Sequence, residues 1–545
     1  MPPRAFLPAI LSGLLLWLAF FPLDLGPISA VALVPWLTLV RAEGLTRRRR
    51  YFAAYLGGLA FYLPALQWIR VAHPTMYASW FALALYCSCY HVLALAILRS
   101  LPRWPLTYTL PVVWVTLEYV RAHFPTGFPF LKPLGLHQLV GFGWYFLGHS
   151  LHNITALVQI ADVGGVYAIS ALVAACNGGV FEWLHRLKWF HKLARTEYVY
   201  RIGFAREMSQ ASVVALGLMG FVAYGATRMM HPPFPLGPRV VALQGSVPQD
   251  AKTNDAVGLY RTYAALADRA DPRADLVVWP ETCFPVAYCV AKPGATVEPQ
   301  FRLDMERTQA ELSRYAARFK VNTLLGLSTF EVDGTTEWRY NSALLLDRDG
   351  KVGPRYDKMH LVPFGEYVPL KRAFPWLQNF TPYEGDYSCR PGETLTRFSI
   401  ELGEKPLTFG VLICYEDTEP YLARQYVKPG APPVDFLVNI SNDGWFRGTE
   451  EHEQHLAICR FRAIESRRSI VRAVNMGISA LIDSEGRVVA LPGDSWRESK
   501  RMEGTVTDRV PLDPRTSFYA WAGDWIPALG AVLIVLGLLA GRRLR

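Results

Sequence analysis

LTFGVLICYED, residues 407–417, runs as an apolar strand and stops abruptly in Cys414, Tyr415 and Glu416. A thiol at the C-terminal end of a buried strand, beside an acid, stands where α/β enzymes present a nucleophile on a sharp turn. Cysteine is also among the most commonly buried residue types, and a buried strand cysteine is usually inert, so this stretch needs support from elsewhere. Two segments supply it. DLVVWPET (275–282) is a second apolar strand and ends in Glu281, while YDKMHLVPFGEYVP (356–369) carries Lys358 and Glu366 in a Pro/Gly-rich loop. Acid, lysine and cysteine thus follow one another, each at a strand end or in a loop.

Acyl-transfer chemistry uses all three. A free thiol has a pKa of about 8.5 and is mostly protonated, hence a poor nucleophile, at neutral pH. Glu281 would take its proton as general base. The Lys358 ammonium would favour the thiolate and then stabilise the oxyanion of a tetrahedral intermediate, with the backbone N–H of Tyr415 as a second donor. The outcome would be a covalent acyl-thioester on Cys414 that passes to a second substrate, a scheme that needs no cofactor and no metal.

The surrounding chain is too apolar for an ordinary soluble enzyme: 545 residues, 51% hydrophobic and only 19% charged. Long uncharged runs fill residues 1–230, globular composition fills 238–510, and WIPALGAVLIVLGLLAG (525–541) is apolar again. The organisation expected is a helical membrane bundle, an inserted globular domain and one last membrane helix. Apolar length gives eight spans, near 6–23, 27–42, 52–70, 76–98, 105–122, 155–181, 211–228 and 525–541. Arg4 precedes an apolar stretch as in a signal peptide, but no small-residue cleavage site follows and further spans come at once.

Basic residues orient the bundle. With the N-terminus cytoplasmic, the inside loops carry Arg41, Arg47–Arg50, Arg99, Arg103, Arg186, Lys188, Lys192, Arg195, Arg201 and Arg206, and the tail carries Arg542, Arg543 and Arg545. Outside segments carry only Arg70, Arg121, Lys132 and Arg228, so residues 229–524 are expected outside the cytoplasm. The net charge of +10 is then mainly a topology signal and not a nucleic-acid footprint.

Within 238–510, strands and helices alternate. RVVALQG (239–245), ADLVVWP, NTLLGLSTF (322–330), VDFLVNIS (434–441), SIVRAVN and SALIDSEGRVV read as strands, and a hairpin turns at Asp347–Gly350. Amphipathic helices are expected over 255–270, 302–319 and 451–468. Helices outside two stacked sheets, an α-β-β-α sandwich, fit this order.

These motifs together resemble the apolipoprotein N-acyltransferases, the membrane-bound branch of the nitrilase superfamily. QGSVPQDAK (244–252), VVWPET, YDKMHLVPFGEYVP, GVLICYED, NISNDGWF (439–446), RFRAIESRRSIVRAVNMGISALID (460–483) and GFPF (127–130) carry the likeness over nearly the whole chain. The resemblance implies a bacterial inner-membrane enzyme with cytoplasmic termini and a periplasmic catalytic domain; a monomer is the default expectation for its oligomeric state. It implies acyl transfer from a membrane phospholipid, through Cys414, to the α-amine of a diacylglyceryl-cysteine at an apolipoprotein N-terminus. It aligns Glu281, Lys358 and Cys414 with the catalytic triad, Glu366 and Glu416 with supporting acids, and Tyr415 with a substrate-positioning residue. The chain departs from the pattern at Thr253 and Asn254, where many relatives have tryptophan after QGSVPQDAK. It also has GFPF for GFPW, followed by a variant KPLGLHQ.

Two rival functions compete: a membrane-tethered amidase using the same triad with water, and a transporter with an accessory domain. Eight spans exceed what a tether needs. Transport would call for ionisable groups inside the spans, and the spans hold few, with His91, Glu118 and Asp162 in the fourth, fifth and sixth. The stretch Glu450, Glu451, His452, Glu453, His455 lacks HExxH spacing and is expected to be a solvated helix start. His360 is expected to be a loop hydrogen-bonder, Trp279 to pack a strand end, and a Cys283–Cys289 disulfide is open on the oxidising side.

Overall fold

The computed structural model describes residues 4–102, 104–128, 130–131, 141–194, 204–369, 371, 374–380, 387–403 and 405–543. Within the sequence motifs above, Arg103, Pro129, Lys132–Gln138, Arg195, Arg201 and Arg545 lie outside them. The chain divides into two units, one of residues Met1–Arg70, Pro74–His231 and Ala522–Arg545, the other of Val71–His73 and Pro232–Trp521.

The first unit is helical. Met76–Ser100, Val166–Leu184 and Ser209–Met229 are long and apolar enough to cross a membrane, and Phe6–Leu18, Gly26–Arg41, Thr155–Gly164 and Trp525–Gly541 are shorter apolar helical stretches. Two of the eight runs expected from hydropathy are broken into shorter pieces, for identifiable reasons. Over 27–42 the helix breaks, and the last piece, Val34–Arg41, starts with Pro35 in its first turn. Over 155–181 it restarts at Val166 after Gly165, which adopts a left-handed φ of 63°. Asn177 repairs the first break: its Nδ2 donates to the Ser29 carbonyl at 2.7 Å and its Oδ1 accepts from Leu33 N–H at 2.7 Å. Backbone groups released by a broken helix need such partners in a dry interior.

The polar residues inside this unit are tied to neighbours. Glu118 Oε1 accepts from Leu147 N–H and from Trp114 Nε1, and Asp162 is held by Arg228 and the Tyr224 hydroxyl. Both acids are buried, so they brace the helices and do not sit at a polar surface. His91 packs edge-on against Trp36, Trp114 and Tyr62. Outward, Leu216, Met219, Val532, Leu536 and Leu539 stand exposed along the helices that flank the second unit in sequence.

Among the described residues the second unit contains thirteen strands: β1 (Leu236–Gln244), β2 (Leu276–Val278), β3 (Tyr288–Ala291), β4 (Asn322–Asp333), β5 (Thr336–Leu346), β6 (Val352–Asp357), β7 (Arg397–Leu402), β8 (Lys405–Ile413), β9 (Phe436–Ser441), β10 (Ile470–Val474), β11 (Ala480–Ile482), β12 (Val488–Ala490) and β13 (Gly504–Pro511). One sheet runs β13-β1-β2-β4-β5-β6 with β3 added on β4, and the other runs β12-β11-β10-β9-β8-β7. The inner strands β1, β2 and β4 are parallel, as are β8, β9 and β10, and antiparallel hairpins complete each sheet. Val240, Val278, Leu324, Phe409, Val411, Phe436, Val438 and Val471 interleave in the layer between the sheets. Phe398, Phe409 and Phe436 stack there at 5.1 and 5.2 Å.

Three helices close the outside: α1 (Ala256–Asp268), α2 (Pro299–Phe319) and α3 (Glu451–Ser466). Helices α1 and α2 bury Leu259, Tyr263, Leu312 and Tyr315 on the first sheet, and α3 buries Leu456, Cys459 and Ala463 on the second. The result is an α-β-β-α sandwich. Strands running parallel bring their C-terminal ends to one edge, where loops from different parts of the chain converge.

Candidate active site

The end of β8 places the thiol. Ile413 is the last strand residue, and Cys414–Thr418 winds at once into a short 3-10 turn. Cys414 has a left-handed φ of 53°, a conformation costly for a residue with a Cβ, so the turn must be held from outside. Glu416 does much of this. Its Oε2 accepts from Ile413 N–H at 2.8 Å, its Oε1 accepts from Met359 and His360 N–H at 2.7 and 3.1 Å, and the Tyr356 hydroxyl donates to it at 2.9 Å. One buried carboxylate thus staples the cysteine turn to the lysine loop. Burial raises the Glu416 carboxyl to about 7, against the pull of those backbone donors.

Glu281 follows β2 and Lys358 follows β6, and the two meet. Lys358 Nζ lies 3.2 Å from Glu281 Oε1 and 2.9 Å from Glu366 Oε2. The Asn341 amide, from β5, donates to both carboxylates, at 2.7 Å to Glu281 Oε1 and 2.8 Å to Glu366 Oε1. Glu366 also accepts from Val362 N–H within its own loop. From α1's side, Lys252 Nζ donates to the Glu281 carbonyl and the Thr282 hydroxyl, fixing a turn in which Thr282 too has a positive φ.

The electrostatics of the thiol follow from this packing. Burial pushes Cys414 up to about 12; Glu281 adds to the rise and Lys358 opposes it. The sulfur therefore rests protonated, beside a carboxylate able to take the proton. Burial opposes the Lys358 charge, yet Glu281, Glu366 and the thiol hold its pKa well above the ordinary value. Cys414 and Tyr415 are both partly exposed, so the turn remains open to a reactant. The structure brings Glu281, Lys358, Glu366, Cys414 and Glu416 together; Tyr415 is adjacent by sequence.

The helix start at 451–455 is not solvated. Glu451, His452 and His455 are buried, 2% exposed or less, because α3 lies against the second sheet on this face. His455 Nε2 faces Asp417 Oδ1 at 2.7 Å and its Nδ1 faces Asp443 Oδ2 at 3.2 Å. Arg472, fully buried in β10, reaches Asp417 at 2.8 Å and Asp443 at 3.0 Å. Asp443, Glu451 and His452 gather ligand-type atoms within 4.8 Å, but their chemistry does not suit an ion. His452 Nε2 accepts from Gly448 N–H, which leaves the ring proton on Nδ1, the nitrogen facing the carboxylates. Sequence patterning missed this group, although an arginine inside the apolar strand SIVRAV was its visible signal. Asn341, uncharged and inside a strand, gave none.

Elsewhere Trp279 is fully buried with Nε1 donating to the Tyr315 hydroxyl, and the backbone of His360 serves Glu416. All eight cysteines are free, including Cys283 and Cys289.

Residues 12–179 match the apolipoprotein N-acyltransferase N-terminal domain, and residues 239–512 match the carbon-nitrogen hydrolase family. An apolipoprotein N-acyltransferase of Geobacter metallireducens is 32% identical, with 99% of this chain and 96% of that one covered. The Rhodopirellula baltica counterpart is 29% identical over 96% and 95%. Among solved structures, Saccharomyces cerevisiae Nit3, a nitrilase-superfamily member, is 22% identical with a TM-score of 0.35, covering 56% of this chain and 96% of its own.

Proposed function

We propose, from the premise that this chain belongs to the apolipoprotein N-acyltransferase family, that it transfers a fatty acyl chain from a membrane phospholipid to the N-terminal α-amine of a diacylglyceryl-modified apolipoprotein. The observation that carries this reading is the meeting of Glu281, Lys358 and Glu366 beside the Cys414 turn at a strained strand end. In the first half-reaction Glu281 takes the Cys414 proton as the sulfur adds to the ester carbonyl. The tetrahedral oxyanion is stabilised by Lys358 and by the Tyr415 backbone N–H. The ester C–O bond then breaks, the Glu281 proton goes to the departing alkoxide, and a lysophospholipid leaves a thioester behind. In the second half the acceptor amine gives a proton to Glu281 and attacks the thioester. The C–S bond breaks, and the sulfur recovers its proton.

Glu366 shares Lys358 with Glu281 and so keeps the ammonium aimed at the reacting carbonyl. Glu416 holds the turn itself. The contacts described support both roles. Placement completes the proposal: a bacterial inner-membrane protein with eight spans, seven within residues 1–230 and the last at 525–541, with cytoplasmic termini and residues 238–510 as the periplasmic catalytic domain. The distribution of arginines and lysines supports that orientation, and the exposed apolar faces of 209–229 and 525–541 support contact with lipid.

A transfer assay with radiolabelled phospholipid and a synthetic diacylglyceryl-cysteine peptide tests the reaction. Label should reach the peptide when its amine is free and not when the amine is acetylated. Release of free fatty acid with no labelled peptide would instead make the protein a hydrolase.

A further inference from the structure

Cys414 is held by more than the Glu416 staple. Asp417, three residues on in the same turn, is fully buried and bound from two sides, by His455 of α3 and Arg472 of β10. Arg472 also donates to Asn439 Oδ1, and Asn439 in turn donates to the Cys414 carbonyl at 3.4 Å and the Leu412 carbonyl at 3.2 Å. Asp443, beyond the end of β9, closes the ring by accepting from Arg472 at 3.0 Å and facing His455 Nδ1. The far side of the cysteine turn is therefore tied to four charged side chains, Asp417, Asp443, His455 and Arg472, with Asn439 as the link to the Cys414 carbonyl.

Geometry also fixes the charge on His455. Both ring nitrogens face carboxylate oxygens, and a ring that donates from both is an imidazolium. Two cations then meet two anions. The other titratable groups facing His455 are Glu451 on its own helix and Cys459 one turn further on.

We propose that His455 and Asp443 are positioning residues for the nucleophile: with Arg472 they form a buried ion ring that holds the Cys414 turn in its left-handed conformation and sets the field at the sulfur. The inference rests on Cys414 being the nucleophile. Its two members act with opposite sign. His455 favours the thiolate and Asp443 disfavours it, so losing one charge moves the thiol one way and losing the other moves it back.

The test is the rate of iodoacetamide alkylation at Cys414, at a fixed pH of about 8.5, in the purified full-length protein, followed on the Cys414 peptide by mass spectrometry, for wild type, His455→Gln and Asp443→Asn. The expected result is alkylation about tenfold slower in His455→Gln and about tenfold faster in Asp443→Asn. His455→Gln should also lower kcat about tenfold with KM for phospholipid little changed. A group that only stabilises the fold would lower the melting temperature and leave the alkylation rate alone. Unchanged rates, changes in the same direction, or failure of both variants to yield folded protein would overturn the proposal. Alkylation of wild-type Cys414 that left transfer intact would overturn the nucleophile reading, a result distinct from all of these.

Discussion

Two buried ion clusters contact the residues around Cys414, and they differ in charge balance. In one, two carboxylates, Glu281 and Glu366, share a single ammonium on Lys358, and a neutral amide from Asn341 makes up the remaining donors. In the other, two carboxylates, Asp417 and Asp443, meet two cations, His455 and Arg472. The first is unbalanced by one negative charge and so retains a carboxylate with capacity for a proton. The second is balanced and fully enclosed, with nothing to give or take. A buried ion group that exchanges a proton must stay incomplete, whereas one that holds a turn and sets a field can be closed. Glu451 borders the closed side, 3.5 Å from His455 Nδ1, where burial, with Asp443 adding to it, raises its carboxyl pKa.

The sharpest way to break this comparison is at the thiol. Cys414→Ala should abolish transfer while the protein folds and inserts as before, measured by the peptide assay beside a melting curve. Lys358→Ala comes next. It strands two buried carboxylates and removes the oxyanion partner, so acylation should be lost together with about 3–5 kcal/mol of stability. Arg472→Leu should cost a similar about 3–5 kcal/mol by leaving Asp417 and Asp443 to share His455 alone, detected as a fall in melting temperature. Asn341→Leu sharpens the contrast, since it removes only a neutral donor from the unbalanced cluster. Transfer should fall about tenfold to a hundredfold with the fold retained. The smallest effect belongs to the surface: Lys292 and Asp333 pair across exposed strand edges, and Lys292→Ala should shift stability by no more than about 0.5 kcal/mol.

The same comparison separates what sequence reveals from what it hides. Glu281 and Cys414 were legible because each stands at the end of an apolar run, where a polar residue breaks the pattern visibly, and Lys358 through the Pro/Gly-rich loop that carries it between them. The alternating strands and the helices of the sandwich were legible for the same reason, through periodicity. β13 was not, because TVTDRV alternates weakly and pairs with a strand some 260 residues earlier. The balanced cluster was hidden too. EEHEQH reads as a solvated helix start, and only the packing of α3 on the second sheet turns those charges inward. Breaks in the helical unit were hidden in part: Pro35 could be seen, while the turn at Gly165 depends on the backbone adopting a left-handed conformation.

The central claim is that the unbalanced cluster activates Cys414 to carry an acyl group. Intact-protein mass spectrometry after incubation with phospholipid alone, on wild type, Lys358→Ala and Cys414→Ala, tests it most directly. The account predicts a hydroxylamine-labile gain of one fatty acyl chain in wild type and none in either variant. A folded wild-type protein that gains no acyl mass, or a Lys358→Ala protein that carries the full adduct, would contradict it.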